Sequence, residues 1–265
     1  MDFNFSTIRG NARRMTTVAT SLTVFACVFA GALIGMRLRR MLPEHHLSSE
    51  RKETVKLAMG FVATMAALII GLLVASAKDS YDTQSSGVTQ LAAKAVYLDR
   101  LLANFGPDAN DVRQLYRGVV ERIAHQMWPE QYAGEAQLDP SAMHTEELLV
   151  AIQALAPKTD LQKTLQAQAV STSMEIGQMR WLQYEQASTT LSKPMLGILV
   201  FWIAVLFGSF GLFAPSNGTA LAALLLAALS VAGAIFLILE LQSPFTGLLQ
   251  IPDTPFLDAI AHLDR

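Results

Sequence analysis

The sequence predicts an all-α, multi-pass membrane protein with four transmembrane helices and a helical bundle inserted between helices two and three. Three observations predict this class. Only 16% of the 265 residues are charged, while 52% are hydrophobic, against about a quarter charged in a soluble domain. The mean hydropathy is +0.34. The apolar residues gather in four uncharged runs, each near the roughly 20 helical residues that cross a hydrocarbon core of about 30 Å. No segment alternates with period two, so no sheet is expected. The net charge of −2 gives no global basic field for nucleic acid. The single cysteine, Cys27, excludes an internal disulfide framework and a cysteine-based zinc cluster.

The first run is Thr16–Met36, preceded by Arg9, Arg13 and Arg14 and followed at once by Arg37, Arg39 and Arg40. Ala30-Gly31-Ala32 imitates a signal-peptidase site, but the run exceeds the 7–15 apolar residues of a signal core, and an uncleaved span is the better reading. The second run is Val55–Ala77, with Lys56 at its start. Pro194–Phe213 and Thr219–Leu239 supply the third and fourth. None shows the polar face that a soluble helix of this length would turn to water.

Between runs two and three, Lys78–Lys193 carries 10 Lys+Arg and 14 Asp+Glu, an ordinary soluble composition. Val88, Leu91, Ala95, Leu98, Leu102 and Phe105 are spaced alternately by three and four, an apolar seam on one helix face. Gly106-Pro107 stops that helix. Ser80–Gln84 contains no breaker, so the second span is expected to run straight into the bundle. A second helix over Ala109–Met127 places Val112, Leu115, Tyr116, Val119 and Ile123 on one side and ends before Pro129. Residues 130–141 read as a loop, Met143–Ala156 as a short helix, and Thr159–Thr190 as a long one with Leu161, Leu165, Ala169, Ile176 and Met179 inward. After the fourth span, Thr254 and Pro255 suit the N-cap and first position of a terminal helix, whose apolar face would be Phe256, Leu257, Ile260 and Leu263. The organisation expected is residues 1–77 with spans one and two, 78–193 as the bundle, 194–241 with spans three and four, and 242–265 as a tail.

Few polar groups suggest chemistry. His45 and His46, beside Glu44, offer two metal-type ligands or groups that titrate near neutrality. Adjacent histidines on an extended segment point opposite ways, however, and no further ligand lies nearby in sequence, so a solvated interfacial turn is the plainer reading. Ser48 or Ser49, followed by Glu50 and Glu53, looks like the start of the next helix. His125, His144 and His262 are isolated. No phosphate-binding loop, nucleotide fingerprint, zinc-peptidase motif or nucleophile elbow occurs. Nothing positive points to an enzyme, a cofactor or a bound metal.

The spans themselves say more. Ala63, Ala67, Gly71 and Ala75 recur every four residues in the second, and Ala19, Thr23, Cys27, Gly31 and Gly35 do so in the first. Small residues at this spacing let helices approach closely. Two readings follow: spans one and two pack together along these stripes, or Ala67, Gly71 and Ala75 line a central pathway in an oligomer. No ionisable residue sits mid-membrane, which argues against a proton relay, voltage sensor or coupled pump. A passive pore remains compatible. Sidedness is undecided by charge, since Arg37, Arg39, Arg40, Arg51, Lys52 and Lys56 stand against Arg9, Arg13, Arg14, Lys78, Lys94, Arg180 and Lys193. With four spans, both termini and the bundle share one side.

Two separated segments carry a family resemblance. Leu72–Arg100, with Ser80-Tyr81-Asp82 closing a long helix, resembles the stretch that leaves the second helix of bestrophin anion channels. The tail Glu240…Pro244-Phe245…Gly247…Pro252-Asp253…Pro255-Phe256-Leu257-Asp258 is similar to the Pro-Phe-Gly and Asp-Leu-Pro-Leu pattern that follows their last helix. Together with Leu42-Pro43-Glu44-His45-His46-Leu47-Ser48 and Tyr97-Leu98-Asp99-Arg100, nearly the whole chain resembles a widespread bacterial bestrophin-like domain of unknown function. The resemblance implies a pentamer in the cell inner membrane around a central anion pore, with the termini and helical domain cytoplasmic, and with the lipid bilayer, further copies of the chain, and chloride or other anions as partners. Aligned on Tyr81-Asp82, the bulky neck residues of the channels fall on Ala67, Gly71 and Ala75. The Trp-Trp-Glu of many members is replaced by Thr83-Gln84-Ser85-Ser86, and their calcium-binding acidic cluster has no counterpart. The first functional expectation is therefore a passive oligomeric anion channel. The other is a non-conducting sensor or scaffold whose helical domain binds a ligand or partner. Tyr81, Asp82, Glu240, Pro244, Phe245 and Gly247 are motif residues to which the sequence assigns no role.

Overall fold

Unbroken apolar periodicity with few helix breakers yields long helices, and the computed structural model contains eight of them among its described residues, which are 5–41, 49–128, 145–188, 193–215, 217–245 and 247–263. They are α1 (Phe5–Met41), α2 (Ser49–Phe105), α3 (Asn110–Met127), α4 (Thr145–Gln153), α5 (Asp160–Ser188), α6 (Lys193–Phe213), α7 (Gly218–Leu241) and α8 (Thr254–Leu263). No strand occurs among the described residues. Four helices are long and apolar enough to cross a membrane: α1 over Met15–Arg39, α2, α6 over Leu196–Phe213, and α7. They coincide with the four uncharged runs. The expected loop at 130–141 and the histidine pair at 45 and 46 lie outside the described residues.

The chain divides into two compact units. One comprises residues 14–79 and 190–242, that is, most of α1, the first half of α2, and α6 with α7. The other comprises 1–13, 80–189 and 243–265. The 242–265 segment, read in sequence as a tail of its own, thus falls into the same unit as 80–189. Helix α2 continues without a break through Ser80–Gln84.

Within the second unit a single core joins the seam of α2, from Val88 to Phe105, to Val112, Tyr116, Val119 and Ile123 of α3, Leu148 and Ile152 of α4, Ala169 and Ile176 of α5, and Phe256, Ala259 and Leu263 of α8. The ends of these helices are closed by side chains. Phe105 ends α2, Gly106 follows at φ +111°, and the Gln162 amide donates to the Phe105 carbonyl at 2.8 Å. Thr159 Oγ1 accepts the Gln162 N–H at 3.2 Å and so caps α5. At the C-terminal end of α4 the Gln166 amide donates to the carbonyls of Ile152, Gln153 and Leu155, the first of which also accepts the Leu155 N–H at 3.3 Å. In the other unit Asn217 caps α7 by accepting the Ala220 N–H at 3.0 Å.

Two expected faces and one expected cap turn out differently. Leu161, placed inward on α5, is 68% exposed, because it sits in the first turn, before α5 meets the core. Leu257 on α8 is also exposed, and Ala259 takes its place. Phe256, Ala259 or Ile260, and Leu263 follow the 3–4 spacing of a helix face, whereas Leu257 lies about 100° round from Phe256. The cap of α8 is Asp253 rather than Thr254, since the Asp253 carbonyl accepts the N–H of Leu257 at 3.0 Å.

Candidate functional site

The membrane-length part of α2 has two sides. Met59, Ala66 and Ala77 are buried, and Ala63, Ile70, Leu73 and Val74 half-buried, a 3–4 spacing that marks the side packed within the chain. Ala67, Gly71 and Ala75 are exposed, each turned about 40° further round the helix from half-buried Ala63, and a Cβ added at Gly71 would meet nothing within 4 Å. From Leu57 to Ala77 there is no charged residue, and Lys78, Asp79 and Asp82 follow. Cys27 of α1 is also exposed.

The two small-residue stripes do not pack on each other. Instead α1 meets α6, with backbones nearly touching. A Cβ at Gly31 would stand 2.6 Å from the Ala204 carbonyl oxygen, and one at Gly35 or Gly211 would overlap the carbonyl of Gly208 or Ala32. The cause is geometric. A strict four-residue period drifts by about 40° per step on a helix of 3.6 residues per turn. The buried face of α1, through Ser21, Val24, Val28, Ala32 and Gly35, mixes threes and fours. Ala19, Thr23 and Cys27 therefore point away from it, and only Gly31 and Gly35 reach the contact.

In the other unit the motif Tyr97-Leu98-Asp99-Arg100 contributes one buried charge. Asp99 is 3% exposed and takes two hydrogen bonds from Arg113 of α3, at 2.8 and 2.9 Å. The bond to Asp99 raises the pKa of Arg113 against the opposing effect of its burial. Tyr116, one turn further along α3, donates to the Ala95 carbonyl at 3.0 Å. Burial first, and the Asp99 charge second, push its hydroxyl above the ordinary tyrosine range, so it stays a donor. Breaking a buried ion pair leaves an uncompensated charge and costs about 3–5 kcal/mol. The Arg113 side chain is a quarter exposed, so water offsets part of that. Arg113→Met is expected to destabilise by about 2 kcal/mol, read in denaturant unfolding, and adding Asp99→Asn should restore part of the loss.

The motif residues of the C-terminal segment build a docking loop. The Pro244 carbonyl accepts the Ile251 N–H at 2.7 Å and closes the loop. Gly247 turns it at φ +125°, a conformation glycine adopts without strain. Phe245 is buried edge-on to Trp128, and the Trp128 indole donates to the Ile251 carbonyl at 2.8 Å. The Tyr81 hydroxyl donates to Gln250 at 3.3 Å, Asp82 is exposed, and Glu240 is buried. His125 and His262 are exposed, with His262 Nδ1 2.7 Å from the Asp258 carbonyl oxygen. Among the described residues no group of three or more His, Cys, Asp or Glu side chains is placed to hold a metal ion.

Sequence reasoning did not foresee the partner of Asp99, although Asp99 lies seven residues after buried Ala92, along the edge of the α2 seam. It also treated Arg180 only as a flanking charge. That side chain is 7% exposed, and Gln183, one turn on, is 8% exposed.

The fold and the uncharged, one-sided face of α2 define a multi-pass, all-helical membrane protein. The sequence pattern of the Bestrophin-like domain matches residues 26–256, and the chain belongs to that family. No curated protein and no solved structure matches it.

Proposed function

We propose that copies of this chain assemble in the cell inner membrane and that Ala67, Gly71 and Ala75 of α2 line a passive anion pathway between them. The observation that carries the reading is that this stripe is exposed in the single chain and open at Gly71, although it lies in an uncharged segment of membrane-spanning length. Such a segment leaves selectivity to pore width, wetting and helix dipoles rather than to fixed charges. The unit formed by 80–189 and 243–265, with its ordinary share of charge, is then the water-exposed helical head inserted between spans two and three. By family resemblance the head faces the cytoplasm and the assembly is a pentamer.

The test is chloride efflux from liposomes containing the purified protein. With Cys27 first replaced, a cysteine at Ala67 or Gly71 should react with a water-soluble thiol reagent and lose more than half the flux. A cysteine at Leu229, which is exposed on α7, should do neither. Absence of anion flux under every ionic condition defeats the channel, and labelling at Leu229 instead of Gly71 defeats the assignment of its lining.

One observation favours the sensor or scaffold reading. An open groove of about 280 Å³ runs beside α2 and α8, lined by Thr89, Ala93, Val96, Pro255, Asp258 and His262. A reporter fused near residue 135 separates the two, because a head on the outer side of the membrane supports binding of an external ligand and a cytoplasmic head supports the channel.

A further inference from the structure

Helix α5 carries a second apolar stripe besides the one it turns to the core. Val170, Met174, Gly177, Trp181 and Tyr184 are spaced four, three, four and three, the interval of a helix-to-helix seam. On average they lie about 120° round the helix from buried Ile176. Met174 is 53% and Trp181 49% exposed, and Val170, Gly177 and Tyr184 are half-buried. A Cβ added at Gly177 would meet nothing within 4 Å, so the backbone is open to a close neighbour there. Trp181 and Tyr184 meet edge-on, 5.9 Å between ring centroids. Aromatic and methionine side chains are the ones in which protein interfaces are enriched.

The same unit offers a groove to match. Helices α2 and α5 run antiparallel, as Gly87 against Gln183, Lys94 against Glu175 and Phe105 against Gln162 show. Thr89 and Val96 come two residues after Gly87 and Lys94, and so stand about 200° round α2 from α5. With Ala93 they form one side of the open groove of about 280 Å³, whose other side is Pro255, Asp258 and His262 of α8. The antiparallel pairing puts Trp181 level with Thr89 and Met174 level with Val96. A rotation axis along the bundle keeps every residue at its own height, so the stripe of one copy meets the groove of the next at the same level. The sizes are complementary, two large side chains against a floor of alanine, threonine and valine. So are the charges: Arg180 borders the stripe and Asp258 the groove, and neither has an ion-pair partner among the described residues.

We propose that the α5 stripe of one copy of this chain seats in the α2–α8 groove of the next, with Trp181 against Thr89 and Met174 against Val96. The two surfaces differ, so the contact is head-to-tail and repeats around a ring rather than joining two copies by a two-fold axis. The inference rests on the assembly of copies proposed above and names its surface, but it does not require that the protein conduct. A groove filled in this way is closed to an external ligand.

The test uses the full-length protein in mild detergent, with Cys27 first replaced. Thr89→Cys/Trp181→Cys is treated with a bifunctional thiol reagent about 10 Å long, one helix diameter. Cross-linked species should form a ladder up to the size of the ring, and each single variant should give none. Val96→Cys/Met174→Cys, which retains Trp181, decides the matter if the first pair does not assemble. Dimers from Trp181→Cys alone overturn the proposal, because α5 would then pair with α5. So does the lack of a ladder from both pairs while native mass spectrometry finds the wild type oligomeric, a result that leaves the assembly itself standing. A wild type found monomeric overturns both. Trp181→Glu, and Ala93→Trp from the groove side, should each raise the concentration at which the oligomer half-dissociates by at least tenfold. Both positions are exposed, so the helical content read by circular dichroism should be unchanged. Wild-type assembly in both variants overturns the proposal. An intact ladder without liposome flux removes the channel and leaves this interface.

Discussion

Trp128→Ala should lower the stability of the 80–189 and 243–265 unit by about 4 kcal/mol, the middle of the range for removing a fully buried large aromatic. Trp128 is 1% exposed at the C-terminal end of α3. Its ring meets Phe256 at 5.5 Å and Phe245 at 6.1 Å between centroids, the second pair edge-on. Truncation opens a cavity against the Phe245 and Phe256 rings and strands the Ile251 carbonyl that the indole N–H satisfied. Trp128→Phe retains most of the volume but not the donor, and should cost about 1–2 kcal/mol. Because this ring pins the loop closed by Pro244 and Ile251, Trp128→Ala should also expose the segment after residue 243 to limited proteolysis at low protease concentration. Denaturant unfolding checks the first effect and mass spectrometry of the fragments the second. A loss under about 1 kcal/mol, with the C-terminal segment still protected, would mean that the aromatic cluster does not hold it.

The second large effect is expected at the crossing of α1 and α6. Gly35→Val and Gly211→Val each place a branched side chain where a backbone carbonyl already stands. A clash with another side chain can be relieved by rotation, but one between a side chain and helix backbone moves a whole helix. The cost should therefore reach the upper end for overpacking, about 3 kcal/mol each. In a membrane, helix association rests on such close packing rather than on water exclusion, so α1 should separate from α6 in mild detergent. Both changes open the same contact, and the double variant should fall well short of the sum. Gly233→Ala on α7, where a Cβ meets nothing within 4 Å, is the matched control and should be near neutral. Stability against a denaturing detergent, measured for the four variants, tests the set. Additive losses, or a control as damaging as Gly35→Val, would show that this contact does not govern the packing.

Much of the architecture was legible in the residues. The four spans needed only length and lack of charge, and their ends fall within a few residues of those read from sequence, apart from α1 and α2, which extend as helix well beyond the apolar runs. The α2 seam was visible as threes and fours, and all six of its residues are buried. Family membership was legible in the Tyr81-Asp82 and Pro244-Phe245 segments. The candidate site was less so. Ala67, Gly71 and Ala75 could be named as a stripe, but the sequence could not separate contact with α1 from exposure, because a period of four drifts across any fixed helix face.

What the sequence by itself determined is local or one-dimensional: which runs dissolve in lipid, where helices stop, and which residues within one helix share a side. Those properties follow from hydropathy and the 3.6-residue turn, and no partner is needed to state them. Only the tertiary structure decided that Gly31 and Gly35 meet α6, that Asp99 finds Arg113, that Phe245 and Ile251 close over Trp128, and that Arg180 is buried. Each of these depends on which distant surfaces meet, and that is decided by the summed packing of many side chains rather than by the pattern of any one helix.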